Sequence, residues 1–296
     1  MTGKRTVWLI TGASSGLGRA VAEDALAAGD TVIGAARRPE RLAGLIAAYP
    51  DRFEAVGLDV TDGGEIDSVT ADVLARYGRV DVLVNAAGRL RAGAFEETTD
   101  RELRHLFELR VFGPARLTRA LLPQMRERGS GSIVNVSGVG GRLSPAGFSA
   151  HSATKAALEQ LSEGLADEVT PFGISVLIVE PGAFRTRPSE EGAARFSEEH
   201  PAYAESVRAA GERVRTGDST QPGDPARAAA AIRTALEAEN TPLRLALGGD
   251  AVDSPVAHPD SARAEPASRE KVSRGTGFHA APLGDRRGAP SAAGRR

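Results

Sequence analysis

Three side chains that can move protons or polarise a carbonyl group occur close together in the middle of the chain. Ser137 follows the apolar run at 132–136, and His151 and Lys155 are four residues apart in a helix-like segment. Because four residues make about one helical turn, His151 and Lys155 share one side of that helix. Histidine is the most common general acid or base in enzymes. The spacing therefore predicts a proton-transfer site, in which the like charge of Lys155 disfavours the protonated form of His151.

The elements that must position these residues are visible in the first 185 residues, where short apolar runs alternate with helix-like patterns. The runs predicted to be buried strands are 6–10, 31–33, 53–56, 80–84, 132–136 and 174–179. The longest helical stretch extends from about residue 100 to 125. Repeated β-α-β units predict an α/β fold, a doubly wound parallel sheet with helices on both faces. Such a sheet binds ligands at the carboxyl ends of its strands, where the strand order reverses.

A glycine-rich segment, Thr11 to Gly18, joins the first strand to the first helix. Its glycines allow a tight turn, and they let backbone N–H groups approach a pyrophosphate at the positive end of the helix. The segment therefore predicts a nucleotide site, and a purely structural turn is the alternative because glycine patterns also occur in ordinary loops.

The end of the second strand discriminates between nicotinamide cofactors. Sites for NAD usually place an acidic residue there to hold the ribose 2′-hydroxyl, but this chain has Arg37 and Arg38. A guanidinium pairs with a 2′-phosphate, whereas an acid repels it. We therefore expect NADP(H) to be favoured over NAD(H), with Arg37 as the contact. The alternative is that both arginines are ordinary solvated charges.

With these residues in view, the chain resembles the classical short-chain dehydrogenases/reductases over roughly residues 4 to 250. Thr11 to Gly18 is similar to the family's TGxxxGxG loop, Asp59-Val60 to its adenine-contacting pair, and residues 85–88 to its NNAG motif. Pro181-Gly182, with Thr186 beyond, resembles the segment that holds the nicotinamide carboxamide. The resemblance implies a single Rossmann-fold domain. It also implies cofactor contacts from Gly12, Ser14, Ser15, Gly16, Leu17, Gly18, Arg37, Asp59, Val60, Asn85, Ala86, Gly88, Lys155, Pro181, Gly182 and Thr186.

The chain departs from the family pattern at two of its four catalytic positions. In the family, a tyrosine, a lysine, a serine and an asparagine carry the hydride reaction. Ser137 and Lys155 match, but His151 occupies the tyrosine position and Arg110 falls at the asparagine position. The resemblance thus implies a catalytic set of Ser137, His151, Lys155 and Arg110, with two members replaced.

Three functions remain open at this point. The favoured one is an NADP-dependent oxidoreductase with a modified proton-transfer centre, acting on a small carbonyl or alcohol. The second is a non-redox enzyme in which His151 is the base, and Ser137 and Arg110 stabilise oxyanion charge. The third is an NADP-binding protein without catalysis. If His151 is a base, activity rises with pH through the titration range of histidine.

Composition narrows the partners and the location. The formal net charge is -2, which gives no electrostatic reason to expect nucleic acid or an anionic membrane as partner. The chain has no cysteine, and no metal site is predicted. No apolar run approaches the roughly 20 residues that span a bilayer, and no leader pattern precedes the first strand. We therefore expect a cytoplasmic protein with a small-molecule substrate. The family resemblance implies a homo-oligomer, either a dimer or a tetramer.

Two segments beyond the predicted strands differ in composition from the rest of the chain. Residues 187–223 are polar and proline-containing, and they follow what the sequence presents as the last core strand. They are interpreted either as an insert that covers the substrate or as a solvated helical pair. The domain is expected to end at residue 250. The tail, 251–296, is rich in Pro, Ala and Arg, and its prolines disfavour a long helix, so it is expected to be flexible.

Overall fold

The computed structural model describes residues 5–184, 194–196, 200–207, 212 and 221–257. Thr186, most of the predicted insert and the tail from residue 258 lie outside these residues. The main strands are β1 (Val7–Thr11), β2 (Thr31–Ala36), β3 (Phe53–Gly57), β4 (Val82–Asn85), β5 (Leu90–Ala92), β6 (Gly131–Val136), β7 (Ile174–Pro181), β8 (Ala194–Phe196) and β9 (Arg244–Leu247). The helices are α1 (Gly16–Ala27), α2 (Ala43–Ala48), α3 (Gly63–Tyr77), α4 (Asp100–Phe107), α5 (Gly113–Arg128), α6 (Ser149–Val169), α7 (Pro225–Glu237) and α8 (Gly249–Ala257).

Seven strands form one parallel sheet in the order β3-β2-β1-β4-β6-β7-β9. The order reverses between β1 and β4, which are hydrogen-bonded neighbours. Alternate residues of β1 enter two separate apolar clusters: Trp8 and Ile10 pack with α1 and α7, whereas Val7 and Leu9 pack with α3 and α5. The sheet is therefore covered on both faces, and the predicted doubly wound α/β fold is confirmed.

One strand of the sheet was not foreseen. β9 pairs with the outer edge of β7, with Ile178 opposite Arg244 and Pro181 opposite Leu247. The expectation that the run at 174–179 is the last core strand is therefore wrong. β9 has only four residues and begins with arginine, so it lacks the continuous apolar run that marks a buried strand. Its arginine takes part in the site described below.

The long helical stretch predicted for residues 100–125 is interrupted. α4 begins with a capping box between Thr99 and Glu102, in which each side chain binds the backbone N–H of the other. A π-helical turn, Glu108–Phe112, then joins α4 to α5. The extra residue of such a turn changes which side chains face inward, and π-turns are frequent at functional sites. Three successive residues of this turn, Leu109, Arg110 and Val111, are buried.

The remaining elements are small. β5 and β8 form a separate two-stranded parallel sheet. The chain divides into the units Met1–Val252 and Asp253–Arg296. α8 continues past residue 250, where the sequence predicts the domain to end. Of the described helices, none is long and apolar enough to cross a membrane.

Candidate active site

The glycine-rich turn lies at the carboxyl end of β1, beside the end of β4. Gly12 has a positive φ of 68°, and a Cβ there would lie 2.9 Å from the backbone of Ala86. A Cβ on Gly18 would lie 2.6 Å from the carbonyl oxygen of Gly12. Gly12 therefore permits the turn, and Gly18 permits close packing of α1 against it. This is the division of roles that a dinucleotide-binding turn requires.

A cleft opens from this turn along the ends of β1, β2 and β4. Seven of the predicted cofactor contacts line it: Gly12, Ser14, Ser15, Arg37, Asp59, Val60 and Gly88. Three further arginines also line it, namely Arg38, Arg41 and Arg89. Its arginines make it positively charged at the end of β2.

Asp59 is held in its ionised form at the edge of this cleft. Its carboxylate accepts hydrogen bonds from the backbone N–H of Thr61 at 2.9 Å and from the Thr61 hydroxyl at 2.8 Å. Burial opposes ionisation, but these bonds and the charges of Arg37 and His105 hold the pKa of Asp59 below its usual value. Asp59 thus presents a fixed carboxylate toward the predicted adenine end.

The other predicted cofactor contacts are not among the residues that line this cleft. Asn85 is 3% exposed, and its amide donates to Asn135 Oδ1 at 2.8 Å across β4 and β6. Its neighbour Ala86 donates its backbone N–H to Thr11 Oγ1 at 3.1 Å. Gly16, Leu17 and Gly18 form the first turn of α1. The structure therefore uses Asn85 to join strands.

Pro181 and Gly182 stand at the end of β7, where two contacts hold them. Gly182 donates its N–H to the carbonyl of Leu247 at 2.9 Å. Asp250 accepts from the N–H of Ala183 at 2.7 Å. β9 and the start of α8 thereby position the segment predicted to bind the nicotinamide. Thr186, predicted for the same role, lies outside the described residues.

The proton-transfer residues are brought together on one face of α6. His151, Lys155 and Glu159 follow one another at intervals of four residues in that helix. Lys155 reaches across to β6, where its Nζ donates to the carbonyl of Val136 at 2.7 Å. Burial and the charge of Arg110 hold the pKa of Lys155 well below its usual range, although the charge of Glu159 opposes the shift. Lys155 is thus fixed at the end of the strand that leads to Ser137.

Arg110 points inward and contacts His151. The residue is 4% exposed. Its Nη1 lies 2.8 Å from His151 Nδ1 and 3.4 Å from Thr154 Oγ1, whereas its buried Nε has no hydrogen-bond partner. Burial, with the charge of Arg89 added, lowers the pKa of Arg110 to about 10. Arg110 and His151 are therefore in direct contact.

His151 stands between two cations. Burial is the largest cause that holds its pKa well below its usual range, and the charges of Arg110 and Lys155 act in the same direction. The ring also packs edge-on against Phe148, with ring centroids 6.1 Å apart. Lys155 thus lowers the pKa of His151, as the sequence predicts, but burial and the charge of Arg110 lower it more.

Ser137 is bound to a group that sequence reasoning missed. Its hydroxyl donates to Glu159 Oε1 at 2.5 Å, and both residues are buried. The other carboxylate oxygen of Glu159 pairs with Arg244 Nη1 at 2.5 Å. Arg244 also pairs with the buried Glu180 at 2.5 Å, and Arg142 pairs with Glu180 at 2.9 Å. In the sequence, the four-residue interval from Lys155 to Glu159 could have indicated that Glu159 lies on the same face of the helix.

Within the part of the chain that the structure describes, no group of three or more His, Cys, Asp or Glu side chains is arranged to hold a metal ion.

Comparison with known proteins identifies the family. A sequence profile of the short chain dehydrogenases matches residues 6–195. This chain belongs to the short-chain dehydrogenase family. It is 36% identical over 248 residues to oxidoreductase BOA17 of Botryotinia fuckeliana, which covers 83% of this chain and 90% of that protein.

Two solved structures are also similar to this chain. The crystal structure of a short-chain dehydrogenase from Streptomyces avermitilis is 73% identical, with a TM-score of 0.89, and the match covers 93% of this chain and all of that one. A metagenomic short-chain oxidoreductase in complex with NADP is 24% identical, with a TM-score of 0.65, and the match covers 82% of this chain and 96% of that one. The second likeness shows the shared fold. The family profile and these relatives identify this chain as an oxidoreductase of the short-chain dehydrogenase type.

Proposed function

We propose that this protein is an NADP(H)-dependent oxidoreductase that interconverts a small carbonyl compound and its alcohol, with His151 at the centre of proton transfer. One observation carries the proposal. His151 and Lys155 share a face of α6, and Lys155 reaches the end of β6 immediately before Ser137. The proton-transfer groups thus stand at the carboxyl end of the sheet, as does the nucleotide-type cleft.

The residues of the cleft fit a dinucleotide. A side chain on Gly12 would collide with the backbone of Ala86, so glycine permits the tight turn that leads into α1, and the start of a helix can bind a pyrophosphate. Asp59 supplies a carboxylate at the adenine end, and Pro181 and Gly182 are fixed at the nicotinamide end. When bound, the cofactor supplies the hydride, or accepts it in the reverse direction.

The preference for NADP(H) rests on the arginines at the end of β2. Arg37 and Arg38 are exposed and line the cleft together with Arg41. No acidic residue takes the place of Arg37, so a 2′-phosphate would meet a guanidinium and not a carboxylate. The preference for NADP(H) is proposed from these arginines, and not from the NADP that is bound to the metagenomic oxidoreductase.

The chain's own residues would act as follows. Lys155 fixes the end of β6 and places a cation beside the reacting groups. His151 exchanges a proton with the substrate oxygen. Ser137, whose own hydroxyl proton is directed at Glu159, presents its oxygen to the same site as an acceptor. The buried Arg110 lies behind His151 and contacts its Nδ1.

The test measures cofactor binding and hydride transfer together. Calorimetry with NADPH and with NADH is expected to show tighter binding of NADPH to the parent protein. Consumption of NADPH is then followed with a panel of aldehydes and ketones. We expect His151→Phe and Lys155→Met each to reduce kcat/KM by about 10²–10⁴-fold, the usual size of a general acid–base contribution, while NADPH still binds to His151→Phe.

The alternatives predict different results. A non-redox enzyme would convert its substrate without consuming NADPH, and a binding protein would bind NADPH without any turnover. Hydride transfer that survives both substitutions at the parent rate would contradict the assigned roles. An exposed arginine on α4, Arg104, provides the control: Arg104→Met is expected to retain both binding and turnover, since its partner is the exposed Asp100.

A further inference from the structure

The guanidinium of Arg110 restricts the protonation state of His151. A guanidinium carries five N–H donors, has no acceptor, and stays protonated in proteins. Its Nη1 lies 2.8 Å from His151 Nδ1, within the range of a good hydrogen bond. Arg110 must be the donor of that bond. Nδ1 must therefore accept, and it accepts only when it carries no proton.

We infer that Arg110 holds His151 as the neutral imidazole with its proton on Nε2, which makes His151 a hydrogen-bond donor toward the substrate oxygen and not a base. The catalytic consequence rests on the proposed function, whereas the proton position is a property of the chain alone. Arg110 is in this account a positioning residue.

The surroundings of Arg110 support the inference. Thr154 donates its hydroxyl proton to the carbonyl of His151 at 2.7 Å, so its oxygen is free to accept from Arg110 Nη1. Both partners of Nη1 are thus acceptors. The π-helical turn Glu108–Phe112 buries the guanidinium against α6, so that water does not compete for Nδ1.

The groups that face His151 also favour the neutral ring. Arg110 approaches from the π-helical turn, Lys155 lies one turn further along α6, and both lower the pKa of His151 in addition to burial. From the turn that follows Ser137, Gly140 presents no side chain, and a Cβ placed there would be 3.6 Å from His151 Nε2. The Nε2 side of the ring thus faces the segment after Ser137, and the Nδ1 side faces Arg110.

The proton step follows from this arrangement. In carbonyl reduction, hydride brings two electrons to the carbonyl carbon, and the π pair of the C=O bond moves to oxygen. The Nε2–H bond of His151 breaks as the new O–H bond forms. The resulting imidazolate lies between Arg110 and Lys155, whose charges stabilise it, and it regains a proton from water. A neutral imidazole is thereby used as an electrophile and donor.

The test reads the proton position directly, in the full chain without ligand. The protein is labelled with ¹⁵N in its histidine rings, of which there are five, and the His151 signals are assigned by their loss in His151→Gln. Two-bond proton–nitrogen spectra then distinguish a protonated Nε2 from a protonated Nδ1. In the parent we expect a neutral ring protonated on Nε2 from mildly acidic to mildly alkaline pH.

Reversal of polarity at residue 110 sharpens the test. In Arg110→Glu, a carboxylate that accepts replaces the donor, so we expect the proton to move to Nδ1 and the pKa of His151 to rise by at least one pH unit. Arg104→Met, on the exposed side of α4, is the control and should leave both unchanged. A parent ring protonated on Nδ1, or charged at neutral pH, would overturn the inference, and so would an unaltered ring in a folded Arg110→Glu.

Two further outcomes are separable. If Arg110→Glu does not fold, the parent spectra alone decide, because only one proton position agrees with the inference. If the spectra show Nε2–H but no carbonyl compound is reduced, the proposed function fails and the role of Arg110 stands.

Discussion

The nucleotide end and the proton-transfer end of the site are built in different ways. At the nucleotide end, backbone and exposed side chains form the surface: Gly12 makes the turn, and Arg37 and Arg38 stand in solvent. At the proton-transfer end, charged groups from separate elements meet. Arg110 from the π-helical turn and Glu159 from α6 are buried, whereas Lys155 from α6 and Arg244 from β9 are half-buried. The first end is formed mainly by one local segment of the chain, and the second by side chains that are distant in sequence.

This difference affects how readily each end of the site accepts a substitution. A backbone cradle leaves little freedom, because any side chain on Gly12 or Gly18 meets another part of the backbone. A buried side-chain network can change when its members change together. His151 and Arg110 contact each other, so a substitution at one of them changes the surroundings of the other.

The largest expected effect breaks the network at the proton-transfer end. We expect Glu159→Leu to lower the free energy of unfolding by about 3–5 kcal/mol, because the buried carboxylate loses its hydrogen bonds from Ser137 and Arg244, and each bond to a charged group contributes about 1.5–3 kcal/mol. It also removes the acceptor of the Ser137 hydroxyl. Urea denaturation followed by circular dichroism measures the change.

Glu163→Leu is the matched control for this substitution. Glu163 also pairs with Arg244, but its side chain is 39% exposed, so we expect a loss of only about 0–1 kcal/mol. Equal losses for the two variants would mean that burial does not distinguish this network from a surface ion pair.

A smaller effect, on binding and not on folding, is expected at the nucleotide end. We expect Arg37→Asp to weaken NADPH binding by about 10–100-fold, because a hydrogen bond to a charged group contributes about 1.5–3 kcal/mol. NADH, which lacks the 2′-phosphate, should bind almost as before. Calorimetry with both cofactors measures this selectivity.

Arg119→Asp controls for the change in net charge, since Arg119 is an exposed residue of α5. It should weaken NADPH binding little. If Arg37→Asp weakens NADPH and NADH equally, Arg37 does not contact the 2′-phosphate, and the two ends differ less than proposed.

The two ends also differ in how far the sequence predicts them. The glycine-rich turn and the positions of Arg37 and Asp59 are local features of the chain. The structure places Gly12, Ser14 and Ser15 of the turn along one cleft with Arg37 and Asp59. Asn85 differs from these residues. It belongs to a motif of this end, but its side chain joins β4 to β6, because its place in a buried strand outweighs its place in the motif.

The proton-transfer end depends on contacts between residues distant in sequence. Arg244 lies 85 residues from Glu159, in a strand too short and too charged to be recognised as buried. Arg110 could be aligned with a family position, but its inward direction follows from the π-helical turn, which has no clear sequence signal. Side-chain networks of this kind need the folded chain to be seen, whereas a glycine turn is visible in a few adjacent residues.

The smallest effect sharpens the comparison through pH. Because the pKa of His151 in the folded protein lies well below its usual value, the unfolded chain binds more protons between that pKa and about 6.5. The contribution of the neutral His151 to the free energy of unfolding is therefore fully present above about pH 6.5. It is lost as the pH falls below that value, with a slope of at most about 1.4 kcal/mol per pH unit. We expect His151→Gln to remove this part of the slope in urea denaturation at several acidic pH values. His200→Gln controls for the loss of one histidine outside the site. An unchanged slope in His151→Gln would mean that His151 takes up its proton as readily in the folded protein as in the unfolded chain, and the buried cations beside it would then have no effect on its charge.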